Sequence, residues 1–249
     1  STVCPTVNYN LSLTGNTQAA GLTYQWQSAT SATGPWTNIP TGTTPSFITS
    51  QTVDTWYQCI VTCSGLSATS SVIGVTTNSF MNCYCGSAAT VPSADEEIYN
   101  VTVNGGSTDP LYANANGCAT AAPGPGSVQG GYSNFTTIAP LTTLTTGQTV
   151  AFSIDQDECD GPTYFANGIG VWVDFDHSGT FDNPSELVYM DQATVTGPRT
   201  VSGSFLVPTT AMTGNTVMRV VCAEGYSATS WAPLTPCLSY GYGETEDHL

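Results

Sequence analysis

Between Val173 and Glu186 the chain reads VDFDHSGTFDNPSE. Counted from Asp174, oxygen donors fall at positions 1, 3, 5, 7 and 9: Asp174, Asp176, Ser178, the Thr180 carbonyl and Asp182. Gly179 takes position 6, where a calcium loop turns sharply. Such hard donors suit Ca²⁺ and do not suit zinc. A helix-loop-helix calcium site closes with a bidentate Glu at position 12. Ser185 stands there, and Glu186 follows one residue late as a further candidate ligand. Asp, Ser and Gly also favour turns without any ion, so a plain Asp-rich turn is the competing reading. The expected cofactor is structural Ca²⁺.

The elements that must hold this loop are strands. The run GIGVWVDF before it is β-like, so the loop sits on a β hairpin. Elsewhere Leu11 and Leu13 alternate with polar neighbours, as do Leu22, Tyr24 and Trp26. Turn residues cut the chain at short intervals, and no long stretch carries a helical period. The expected fold is all-β, two tandem β-sandwich domains over residues 1–78 and 79–249.

Two further acidic groups stand out. Asp155, Asp157, Glu158 and Asp160 read as a second cation site or a solvated loop. Glu244 and Glu246 should share one strand face, either completing the calcium site or bonding a neighbouring loop.

Composition narrows the function. The chain has 249 residues, 18 acids and two basic residues, Arg199 and Arg219, for a formal charge of -16. Nucleic acid and anionic membrane surfaces both require cationic side chains that this chain lacks. No apolar run has the length of a membrane span. The chain opens STVCP and reads as a mature secreted product or a piece of one. Nine cysteines suit an oxidising compartment, and their odd number leaves one thiol over. The two histidines, His177 and His248, have no nucleophile in a recognisable setting, and there is no lysine for a Schiff base. A catalytic role is therefore not expected.

The first unit carries immunoglobulin-like landmarks. Trp26 is placed like the core Trp of a third strand, and DTWYQC resembles a tyrosine corner, with Tyr57 two residues before Cys59. No Cys lies on the strand around Leu11, so Cys59 either pairs elsewhere, with Cys4 the nearest candidate, or stays buried and reduced. GLTYQWQSATSATGPWTNI followed by WYQCIVTCSGLSATSSV resembles the Ig-like repeats of large bacterial surface proteins. That resemblance implies Cys4 paired with Cys59, and Cys63 bonded to a residue upstream of Ser1.

The second unit resembles the GEVED domain of secreted bacterial proteins. The motifs are CYCGSA, GGYSNFTTIAPLTTLTTGQTVAFSI, GIGVWVDFDHSGTFDNPSELV, VSGSFLVPTTAMTGNTVMRVVC and PCLSYGYGETEDHL. The last contains Gly243-Glu244-Thr245-Glu246-Asp247, a near copy of the naming motif. Departures are the missing Cys between Ala88 and Ile98, which leaves Cys118 to another partner, and the DQDECD segment with Cys159. The resemblance implies an extracellular, adhesive or structural module without an established catalytic role.

For the remaining thiols we expect Cys222 with Cys237, closing a segment of modest length, and Cys85 with Cys118. The alternative function is carbohydrate binding, with Trp36, Trp172, Trp231 and the tyrosines of LSYGYGETE stacking on glycans if exposed. In the resemblance, the signature motif leads into a longer closing strand. The open edge there is completed either by a closing strand that comes next in a longer protein, or by the Ser1 to Tyr9 segment of another copy, head to tail. The expected partners are thus other copies or domains of the same protein.

Overall fold

The structure is a computed structural model describing residues 1–15, 19–91, 96–107, 131–137, 139–158, 163–182, 184–231 and 233–249. It divides into two units, Ser1–Cys83 and Tyr84–Leu249.

Alternation writes the first unit. Its strands are β1 (Thr2–Val3), β2 (Tyr9–Ser12), β3 (Leu22–Ala29), β4 (Thr37–Asn38), β5 (Ser46–Thr49), β6 (Thr55–Cys63), β7 (Leu66–Thr69) and β8 (Ile73–Thr77). One sheet runs β1-β8-β6-β3-β4, with β7 also on β6, and a second pairs β2 with β5. Leu11, Trp26, Phe47, Tyr57, Cys59 and Val75 meet between them. Trp26 and Phe47 rings lie 5.3 Å apart. Tyr57 is buried as a corner tyrosine would be, and its hydroxyl reaches the Gln51 side chain at 3.2 Å. Gln51 in turn donates to the Val75 carbonyl, which ties the corner to β8.

Cys4 bonds Cys83, with Cα atoms 5.7 Å apart, which corrects the expected Cys4–Cys59 pair. The reason is the register of β1. It runs parallel to β8, with Val3 opposite Thr77, and so delivers Cys4 to the segment after β8. Cys59 sits opposite Trp26 on a central strand and stays a buried free thiol. The bridge also carries the first unit through Cys83, beyond the boundary expected at residue 78.

The second unit comprises β9 (Ala88–Ala89), β10 (Glu96–Val103), β11 (Gly106–Ser107), β12 (Tyr132–Phe135), β13 (Thr149–Glu158), β14 (Ala166–Val173), β15 (Leu187–Met190), β16 (Val195–Thr196), β17 (Arg199–Leu206), β18 (Met218–Glu224), β19 (Ser239–Tyr240) and β20 (Gly243–His248). A sheet ordered β11-β10-β13-β17 faces one ordered β12-β20-β18-β14-β15, with β16 also on β14 and a short β19–β9 pair beside them. Period-2 alternation puts Val101, Val150, Phe152, Ile154 and Val201 of the first sheet against Ile169, Val171, Val173, Met218, Val220 and Cys222 of the second. The architecture is the expected all-β sandwich.

Alternation also explains the second disulfide. Cys85 bonds Cys237, with Cα atoms 5.5 Å apart, which corrects both the Cys222–Cys237 and the Cys85–Cys118 expectations. Cys222 points into the core of β18, whereas Arg219, three residues earlier, points to the opposite face and touches the carbonyls of Cys85 and Pro236. Cys237 lies on that opposite face, out of reach of Cys222. Cys118 and Cys159 lie outside the described residues.

Candidate functional site

The acidic loop connects β14 to β15. Asp174 follows the last residue of β14 and is fully buried; its amide donates to the Val217 carbonyl at 3.1 Å. Its carboxylate accepts the amides of Ser178 (3.2 Å) and Gly179 (3.0 Å) and the hydroxyl of Tyr84 (2.7 Å). Gly179 has φ +77°, a left-handed turn that a side chain would strain, so the glycine expected at position 6 serves the turn. Glu186, 2 % exposed, accepts the amides of Phe175 and Asp182, each at 2.7 Å. Asp176 is exposed and accepts the Ser178 amide at 3.0 Å.

One carboxylate oxygen from each of Asp174, Asp176 and Glu186 lies within 4.8 Å of the others, so this group could hold a metal ion. Like charge at this range is unfavourable without a cation. Burial first, then Asp174 and Asp176, raise the Glu186 carboxyl to about 7 against the favourable pull of its two amide donors. Glu186, the late residue, is therefore the one the fold brings in. Of the other expected ligands, Ser178 bonds Thr180 Oγ1 at 2.8 Å and Thr180 bonds Asp182 Oδ1 at 3.2 Å, beside the carboxylate group.

Two residues outside the loop brace it, and neither was expected from sequence. Tyr84 holds Asp174 and stacks on Phe181 of the loop, centroids 4.8 Å apart. Arg219 lies over the same Phe181 ring at 5.0 Å and forms a two-pronged pair with Asp247, each contact 2.7 Å. Tyr132 also donates to Asp247 at 2.7 Å. The only sequence signal was the rarity of arginine itself.

The signature motif is structural in geometry. At Gly243, φ +119°, a Cβ would meet the Cys222 carbonyl oxygen at 2.2 Å, so only glycine lets β20 approach β18. Glu244 and Glu246 share one face, as expected, and it is the interior. They do not join the acidic loop. Glu244 accepts the Ile98 amide at 2.9 Å and the Ser133 hydroxyl, and Glu246 pairs with His248 at 2.9 Å. Asp247, on the other face, meets Arg219. Residues 168–249 match the GEVED domain family.

The GEVED match covers the loop, β18 and the signature strand. No curated protein matches the chain. Among solved structures, it aligns over 99% of its length with 63% of a chain of the chicken CNTN1 FN1-FN3 domains, at 9% identity and a TM-score of 0.25. It also aligns over 99% of its length with 86% of a chain of the Clostridium thermocellum CbhA fibronectin(III)-like modules, at 11% identity and a TM-score of 0.23. The chain thus spans less than two thirds of the chicken chain, and both scores are too low to bear on function.

The remaining candidates separate. Asp155 accepts from Asn100 (3.1 Å) and Thr200 (2.6 Å), which spends it within the sheet, while Asp160 lies outside the described residues. Trp172 and Tyr240 are buried, Trp36 is half-buried, and Trp231 is fully exposed. No helix among the described residues is long and apolar enough to cross a membrane.

Proposed function

We propose that this chain is an extracellular structural or adhesive segment of a secreted surface protein, in which bound calcium and disulfides stabilise tandem β-sandwiches. The observation that carries the reading is the convergence of Asp174, Asp176 and Glu186, two of them buried, at the end of a core strand. Ca²⁺ suits this all-oxygen group, and it would complete its shell with Asp182, the Ser178 hydroxyl, the Thr180 carbonyl or water. The ion's role is structural: it neutralises the carboxylates and pins the β14–β15 hairpin. Two disulfides suit an oxidising compartment, and the GEVED match fits a non-catalytic module.

The partners we assign are other copies or domains of the same protein. Strand addition at β20 is disfavoured, because β20 is paired on both sides, with β18 and β12. The Ser1 to Tyr9 segment already supplies β1 to its own sheet. The long strand with one side unpaired among the described residues is β17, and we place the contact there. A monodisperse monomer in light scattering at high concentration would rule it out.

The calcium reading is tested by melting the chain in calcium and in chelator. Calcium at about a hundred times its Kd should add about 2.7 kcal/mol, and Asp176→Ala should remove the response. Identical melting curves in both buffers would end the reading.

A further inference from the structure

The chain has two fixed side-chain cations, Arg199 and Arg219. Both are committed: Arg199 to Asp191 and Arg219 to Asp247. Yet Glu96, Glu97, Glu244 and Glu246 are all within the sandwich, none more than 5% exposed. Glu97 is in side-chain hydrogen-bonding contact with Glu244. Ionised carboxylates only accept, so such a contact requires a hydrogen on one of them.

The groups around Glu244 do not supply the missing positive charge. From β10 come Glu96 and Glu97, from β18 Cys222, from β19 Tyr240, and on β20 itself Glu246. Arg199 of β17 stands near Cys222, already bound to Asp191. Gln156, at the inward position following Ile154 and opposite Ile98, is 3% exposed, and neither amide atom has a hydrogen-bond partner. It is neutral and cannot compensate. His248 is spoken for by Glu246.

We propose that protons, in place of fixed cations, neutralise this interior, so that the second unit is a base-sensitive module. Glu244 and Glu97 share a hydrogen at neutral pH, and the sandwich weakens when base withdraws it. This is independent of the calcium loop.

The direction follows from linkage. Burial, then Glu246, pushes the Glu244 carboxyl from 4.5 up to about 8. A raised folded value gives stability that is complete below 4.5 and lost as pH climbs through 8. His248 acts oppositely: burial pushes it from 6.5 down to about 4, so its contribution is complete above 6.5 and lost as pH falls through 4. From 4.5 to 6.5 the two slopes cancel. Above 6.5 that of Glu244 remains, beside that of Glu186 in the metal-free acidic loop, where ordinary carboxylates have finished titrating.

The test uses the whole chain in EDTA with carboxyl-¹³C glutamate, carrying Glu186→Gln so that the acidic loop contributes no second high-titrating carboxyl. One buried carboxyl should titrate above pH 6.5, and the signal should vanish in Glu244→Gln. Melting of the second unit, followed by the methyl signals of Ile169 and Val220, should fall by about 4–8 °C between pH 6.5 and 8. Glu244→Gln should flatten that fall. Titration of every glutamate below pH 6, or an undiminished fall in the variant, overturns the proposal. If Glu244→Gln does not fold, the carboxyl titration of the chain carrying Glu186→Gln alone decides by itself. Calcium restoring the pH 8 melting point of Asp176→Ala would assign the neutralising charge to a metal and overturn the proton reading.

Discussion

Replacing Glu186 by Gln should change stability in opposite directions with and without calcium. In chelator, Glu186 lies with Asp174 and Asp176, oxygens within 4.8 Å of one another. At an effective dielectric near 20, one such pair repels by about 3 kcal/mol. The rise of the Glu186 carboxyl from 4.5 to about 7 corresponds to a similar burden, about 3 kcal/mol above pH 7. Its sign is that of a raised carboxyl: stability is complete below 4.5 and lost as pH rises through 7. Water reaching the exposed Asp176 side reduces the burden to about 2 kcal/mol. The variant removes it. Gln keeps an acceptor for the Phe175 amide but loses the one for Asp182, at about 1 kcal/mol. The net effect in chelator at pH 7.5 is a gain of about 1 kcal/mol. In calcium the same change deletes a ligand and forfeits much of the roughly 2.7 kcal/mol that saturating ion supplies. Urea unfolding of both proteins in both buffers measures the four values. Equal destabilisation of the variant in EDTA and in calcium would refute the reasoning.

Arg219→Met should destabilise the second unit by about 3–5 kcal/mol, because it leaves Asp247 buried and unpaired; Arg219→Met with Asp247→Leu should recover part of that loss in the same urea assay. Tyr84→Phe keeps the stack on Phe181 but removes a donor to Asp174, and should weaken calcium binding about 10–100-fold by calorimetry. Non-reducing peptide mapping should return Cys4–Cys83 and Cys85–Cys237, while a thiol reagent labels the exposed Cys63 and spares the buried Cys59 and Cys222 until urea is added. Trp231→Ala should leave the melting temperature unchanged, and its loss of retention on a glycan array that retains the parent chain would revive the carbohydrate reading.

What the sequence made legible was local. Alternation located strands such as β3 and β6 and placed Trp26 and Tyr57 in a core. Residue type and spacing located the acidic loop, and the pleat predicted that Glu244 and Glu246 share a face. What stayed hidden depended on pairing between distant segments. The Cys4 partner is set by the parallel register of β1 on β8. The Cys237 partner is set by which face of β18 its loop covers, and one-dimensional spacing carries neither. Tyr84 is 90 residues from Asp174 and belongs to no recognisable metal motif. Glu186 fell outside the ideal ligand spacing because a strand, not a helix, follows the loop.

The position of the signature strand bears on how the second unit comes to exist. β20 is not an edge added last to a finished sheet; it lies between β12 and β18, and its pairing with β12 reaches back more than a hundred residues. The Cys85–Cys237 bridge spans 152 residues in the same sense. The larger sheet therefore cannot close before β20 has been made, and loop-closure entropy weighs against every partial form. Such a unit stays unfolded until β20 is available, and then has to find nearly all of its long-range partners together. Its folding should be slow, and removal of Gly243–His248 should abolish the folded state outright.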